Sequence, residues 1–179
     1  MKVSNNVFLI GLMGVGKTSV GRYLARLLKR PFFDADKEIE LRTGVCIPWI
    51  FDQEGEAGFR KREELVIDEL TQHDGIVLAT GGGAVLSEDN RKYLAARGHV
   101  IWLEASLQTL LARTAPDKNR PLLQTDNADQ VLTQLLEQRH PLYQSLADLR
   151  IDTEQVGGAR KTAGFIADWL QAQTQDECS

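Results

Sequence analysis

The chain has 179 residues, 42% of them hydrophobic and 26% charged, with a formal net charge of −4 and a pI near 5.4. That length sets one domain, or one domain with a small lid, and the composition is that of a globular protein able to build a core. The acidic balance argues against a general nucleic-acid binder. No apolar run approaches the ~18 residues of a membrane span, and the first six residues are too short and polar for a signal peptide. A cytoplasmic protein is expected, with no nucleic-acid or membrane partner.

The first predicted element is the apolar strand Val7-Phe8-Leu9-Ile10. Gly11-Leu12-Met13-Gly14-Val15-Gly16-Lys17-Thr18 follows directly and matches G-x-x-x-x-G-K-[ST], the phosphate-cradling loop. A helix pattern comes next, with Val20, Tyr23, Leu24, Leu27 and Leu28 on one apolar face. Glycines at 11, 14 and 16 let successive N–H groups face a phosphate chain, and the helix N-terminus adds partial positive charge. The nucleotide-binding candidates are therefore Gly14, Val15, Gly16, Lys17, Thr18 and Ser19. Lys17 is suited to the β- and γ-phosphates and the Thr18 hydroxyl to Mg²⁺.

Residues 31–36 read as a short second strand ending in Asp34-Ala35-Asp36. If extended, both carboxylates share a face, one for the metal shell and one for a substrate hydroxyl. The alternative is acidic capping of the helix that follows at 37–43 and stops at Gly44. A short apolar piece at 47–51 precedes a helix over about 58–73, with Phe59, Leu65, Val66 and Leu70 apolar. Arg60-Lys61-Arg62 lies at its start, where cations oppose the helix dipole, a broken rule that can mark a site. Pairing with Glu56, Glu63 or Glu64 is the plainer explanation, preferred for Lys61 and Arg62 and left open for Arg60.

Residues 76–80 form a continuous apolar run, expected as a buried parallel strand, and end in Gly81-Gly82-Gly83. Three glycines suggest backbone approaching a ligand, with a flexible turn as the alternative. Ser87 caps a helix that ends at Arg97-Gly98, residues 100–103 are a strand, and Ser106 caps the next helix. The polar stretch 114–125 is long enough for a mobile lid and carries Arg120, with Arg113 just before it. A helix is expected over 127–138, interrupted or kinked by Pro141, so that Arg139 falls at a helix C-terminus, where the dipole favours it. A last strand at 149–152 and a helix at 159–172 complete the chain. His73, His99 and His140 show no metal-ligand spacing, and Cys46 and Cys178 suggest neither zinc nor a disulfide framework.

Five strands alternating with helices predict a three-layer α/β domain with a mostly parallel sheet, and ligands at the carboxyl ends of its strands. The expected organisation is a single domain over 1–173, a lid at about 114–125 and a polar tail at 174–179.

Taken in order, Gly11–Thr18, Asp34-Ala35-Asp36, Phe59-Arg60, Gly81-Gly82-Gly83, Asn119-Arg120-Pro121-Leu122-Leu123 and Arg139-His140-Pro141-Leu142-Tyr143 resemble the shikimate kinase family of small P-loop kinases. The resemblance runs from Val7 to about Leu170. It implies a five-stranded parallel sheet in the order 2-3-1-4-5 and an ATP-dependent transfer of phosphate to the 3-hydroxyl of shikimate, in the chorismate and aromatic amino-acid pathway. It also implies roles. Asp36 holds the substrate hydroxyls as base or orienting group, and Asp34 supports Mg²⁺ with Thr18. Arg60 and Arg139 grip the substrate carboxylate, and the backbone at Gly82 meets the ring hydroxyls. Lys17 and Arg120 neutralise the phosphates, with Arg120 arriving on the lid, and Arg113 stacks near the adenine. The match is poor at Glu154-Gln155-Val156-Gly157-Gly158, where only Val156 is offered for the base. The implied partners are ATP and shikimate, acting on a monomer. A gluconate or nucleoside-monophosphate kinase, and a nucleotide-binding regulatory module without transfer activity, are the competing readings.

Overall fold

The computed structural model describes residues 5–115 and 127–176. Five strands form one sheet: β1 (Val7–Ile10), β2 (Phe32–Asp34), β3 (Val77–Ala79), β4 (His99–Glu104) and β5 (Leu149–Asp152). Their order is β2-β3-β1-β4-β5, and each neighbouring pair is parallel. The helices are α1 (Lys17–Leu28), α2 (Ala35–Thr43), α3 (Ile47–Thr71), α4 (Glu88–Arg97), α5 (Leu107–Thr114), α6 (Ala128–Leu146), the short α7 (Thr153–Val156) and α8 (Ala159–Asp176).

β1 and β3 are buried along their whole length. This is why their sequences are continuous apolar runs rather than alternations. Because all strands run the same way, the phosphate loop after β1, Asp34 at the end of β2 and the glycine run after β3 emerge on one edge. β3 lies between β1 and β2, so the glycines stand between the phosphate loop and the two acids. The opposite edge is held by Asn6, fully buried before β1. Its amide donates to the carbonyls of Thr71, His73 and Arg97, and its Oδ1 accepts from Ile76 N at 2.9 Å.

Several elements differ from the sequence reading. On α1 the buried stripe is Lys17, Val20, Gly21, Leu24 and Ala25, while Tyr23 and Leu27 are 41% and 56% exposed. The stripe is set by small residues: a Cβ on Gly21 would collide with the Phe32 ring, so close approach to β2 decides which face turns inward. Leu65 is likewise exposed, although Phe59, Val66 and Leu70 are buried as expected.

The apolar piece at 47–51 is helical and runs into the next helix, with a break at Gly55 (φ 69°, ψ 179°). Only glycine adopts that conformation without strain, so one long element bends there and the segment carrying Arg60 starts a little before 58. α6 continues through Pro141 to Leu146, which places Arg139 inside a helix rather than at its end. β2 closes at Asp34, and the run 34–36 is not extended. α8 reaches Asp176, beyond the expected end at 172.

Candidate active site

The loop before α1 carries positive φ at Gly11, Gly14 and Gly16. Gly16 is the N-cap of α1 in the left-handed region, which presents the first N–H groups of the helix to the cleft. Gly11 has a different task. A Cβ there would collide with the Leu103 carbonyl, so it lets the loop leave β1 against β4. Lys17 is buried and donates to the carbonyls of Gly11 at 2.7 Å and Leu12 at 2.9 Å. The ammonium is thus folded back over its own loop. The stretch from Gly14 to Ser19 lines a cleft of about 410 Å³, as do Asp34, Asp36, Thr80, Gly82 and Arg113. That size suits a nucleotide-scale ligand. Arg113 leans over the loop, donating to the Gly14 and Val15 carbonyls at 3.4 and 3.3 Å.

Asp34 serves both readings of the acidic pair at once. Its Oδ1 accepts from the Asp36 and Lys37 N–H groups as the N-cap of α2. Its Oδ2 accepts from the Thr18 hydroxyl at 2.6 Å. Capping ends the strand at Asp34, so Asp36 reaches the cleft from the first turn of a helix rather than from the same strand face.

The glycine run explains itself by what presses on it. A Cβ on Gly81 would collide with Glu63 Oε1 and come within 3.0 Å of Asp36 Oδ1. One on Gly82 would sit 3.2 Å from Met13 N and 3.4 Å from Arg139 Nη1, and one on Gly83 would collide with the Arg60 guanidinium. None of the three has positive φ. Room, and not backbone freedom, is therefore what requires glycine here: four charged side chains from α2, α3 and α6 crowd these three Cα atoms.

Arg60 is ion-paired on both sides, to Glu56 at 3.0 Å and to Glu63 at 2.6 Å. Of the pairing expected with Glu56, Glu63 or Glu64, that of Arg62 goes instead to Glu54 at 2.7 Å. Arg139 is 1% exposed, and its Nε has no hydrogen-bond partner among the described residues.

Two members of this cluster have no site role in the sequence reading, which names Glu63 only as an ion-pair partner and Tyr143 only within the stretch that follows Arg139. Glu63 is 1% exposed; burial pushes its carboxyl up to about 7, against the pull of Arg60. Its signal was an acid on the apolar face that holds Phe59, Val66 and Leu70. Tyr143 is buried, stacks on Trp102, and donates its hydroxyl to the Gly82 carbonyl at 2.5 Å. Burial pushes that phenol up to about 12, which keeps it a donor. Arg139 and Tyr143 are one turn apart, a spacing hidden when Pro141 is read as an interruption.

At the far end of the cleft, Thr153, Gly158 and Ala159 form the wall, and Val156 is not among the lining residues. Arg120 and the rest of 116–126 lie outside the described residues, as does Cys178; Thr114 ends α5. Cys46 is a free, exposed thiol. Among the described residues no helix is long and apolar enough to cross a membrane.

A phosphate loop after the central strand, with Asp34 at the end of β2, Asp36 in the first turn of α2 and a buried charged cluster beside them, is the arrangement of a P-loop kinase. A family model described as shikimate kinase matches residues 13–167. The chain belongs to the shikimate kinase family. It is 59% identical over 155 residues to a shikimate kinase of Methylococcus capsulatus, covering 87% of each chain. It is 56% identical over 154 residues to one of Vibrio parahaemolyticus, covering 86% of this chain and 90% of the relative. Among solved structures, the shikimate kinase from Acinetobacter baumannii in complex with shikimate superposes with a TM-score of 0.92 at 49% identity, over 96% of both chains.

Proposed function

We propose that this chain transfers the γ-phosphoryl group of ATP to the 3-hydroxyl of shikimate, with the acceptor held by the cluster around the glycine run. The reaction follows from family membership and belongs to the route to chorismate and the aromatic amino acids. The observation that carries the acceptor site is the pair of guanidiniums pressed on Gly82 and Gly83 beside Asp36. Arg60 and Arg139 are suited to a carboxylate, which planar guanidinium donors grip with charge-assisted bonds. Asp36, on the cleft wall, orients the acceptor hydroxyl and accepts its proton as the oxygen attacks. Gly82, held to Tyr143, offers its backbone to the ring hydroxyls.

On the donor side, Lys17 leaves the Gly11 and Leu12 carbonyls for the β- and γ-phosphates, and Arg120 adds a second positive charge. Positioning and charge neutralisation are most of what phosphoryl transfer asks of a protein. Arg113 reaches toward the base side of the cleft. Thr18 Oγ1 and Asp34 Oδ2, 2.6 Å apart, are hard oxygen donors of the kind Mg²⁺ takes, with the remaining positions left to phosphate and water. These two oxygens would hold Mg²⁺, which would supply positive charge to the phosphates. The chain acts as a cytoplasmic monomer.

ADP release measured with Mg-ATP over shikimate, gluconate and nucleoside monophosphates tests this. Turnover is expected with shikimate alone. Turnover with gluconate and none with shikimate would overturn the proposal.

A further inference from the structure

Leaving aside the half-exposed Glu56, the acceptor cluster is balanced before any ligand arrives. Two carboxylates, Asp36 and Glu63, stand with two guanidiniums, Arg60 and Arg139. The Arg60 guanidinium is divided between Glu63 and the half-exposed Glu56. A ligand carboxylate entering between the arginines adds one negative charge beside Glu63 and Arg139, two charged side chains that are each 1% exposed. An excess charge in such a place is costly and is removed by a shift in protonation where a suitable group exists.

We infer that Glu63 takes up one proton from solvent when the carboxylate of the acceptor engages Arg60 and Arg139. The inference rests on the reading that these two arginines hold that carboxylate. Glu63 cannot swing out to water, because it is 1% exposed on the inner face of α3. Its Oε2 accepts from Arg60 at 2.6 Å, while its Oε1 is buried with no hydrogen-bond partner among the described residues. The free lone pairs are therefore on Oε1, and the proton lands there. No other bond is made or broken beyond the exchange of ion-pair partners.

The groups facing Glu63 are Asp36 from α2, Arg60 with Glu56 behind it on α3, and Arg139 and Tyr143 from α6. The glycine run contributes no titratable group. Asp36 must stay ionised to accept a hydroxyl proton, the arginines stay charged, and burial makes the Tyr143 phenol a poorer acid still. Glu63 is left as the group that can change. Its carboxyl already sits at about 7 in the unliganded cluster because of burial. Drawing Arg60 toward the ligand removes part of what holds it down.

The sign follows. Below about pH 6 Glu63 is protonated before binding, so affinity is flat. Above about pH 7 the proton must be supplied, and affinity falls by up to roughly tenfold per pH unit, until the carboxyl of the complex itself ionises.

The test is calorimetric titration of shikimate into the full chain near pH 7.5, in PIPES and in Tris, whose ionisation enthalpies differ widely. The apparent enthalpies should differ by an amount equal to the uptake of between about half and one proton. Glu63→Gln should remove that difference and flatten the pH profile of affinity. Equal enthalpies in the two buffers overturn the inference, as does a buffer dependence that survives in Glu63→Gln. The wild-type pair of titrations decides the question even if the variant does not fold. Shikimate affinity unchanged by Arg139→Met overturns the carboxylate reading instead, which separates the two failures.

Discussion

The two halves of the proposed site are built on opposite plans. The phosphate half is one contiguous stretch, residues 11–19, and works mainly through backbone N–H groups, a helix end and one lysine. The proposed acceptor half is assembled from α2, α3, α6 and the glycine run, and consists of charged side chains packed against one another. The first plan needs little from the rest of the fold beyond a strand before it and a helix after it. The second fails if any one of four elements shifts. On the proposed reading a nucleotide is held by local chemistry, whereas choice of acceptor depends on tertiary packing.

If the halves are separable, substitutions should sort between them. Lys17→Met is expected to lower kcat on the order of a thousandfold, as removal of a preorganised charge from a transferring phosphoryl group does. Shikimate affinity, read by calorimetry, should be nearly unchanged; a large loss there would join the two halves. Arg139→Met should do the reverse, weakening shikimate binding by about 3 kcal/mol while ATP binding is kept. Equal weakening of both ligands would break the comparison.

Glu63 adds a cost to the acceptor half that the other half lacks. Burial raises its carboxyl from an ordinary 4.5 to about 7, so between those values the folded chain holds more protons than the unfolded one. Stability therefore falls as pH rises through that window, by on the order of 3 kcal/mol. Thermal unfolding of wild type and Glu63→Gln compared from about pH 4.5 to 7 should show the variant gaining on wild type by that amount. A constant gap would mean Glu63 is ionised throughout. Tyr143→Phe is the mildest probe. Loss of its bond to the Gly82 carbonyl should cost about 1 kcal/mol, seen as a higher KM for shikimate at nearly constant KM for ATP.

The same division explains what could be read from the chain. The phosphate loop, the five strands and the caps Ser87 and Ser106 are local patterns, and each stands where it was expected except that β2 stops at Asp34. Asp34 was legible as either a cap or a site residue and is both, because its two oxygens point to different partners. Arg139 looked like a helix-end cation, since Pro141 removes one N–H and discourages a helix; packing of Leu132, Arg139 and Tyr143 on one inner face outweighs that. Glu63 was named only as an ion-pair partner. Its importance comes from burial, which a helical period can suggest but which only the packed neighbours establish. The exposed Tyr23 and Leu27 make the converse point, that large apolar residues do not by themselves fix which face of a helix turns inward.

Asn6 sits at the end of the sheet away from the chemistry, and its partners lie 65 to 91 residues along the chain. Bonds across such separations form only after the intervening crossovers have closed, and loop closure is what slows folding. Asn6 is therefore expected to find its partners late on the way to the native state. Asn6→Ala should speed unfolding and leave the refolding rate almost untouched. A matching drop in the refolding rate would instead place this residue in the folding nucleus, making the quiet end of the sheet the part that forms first.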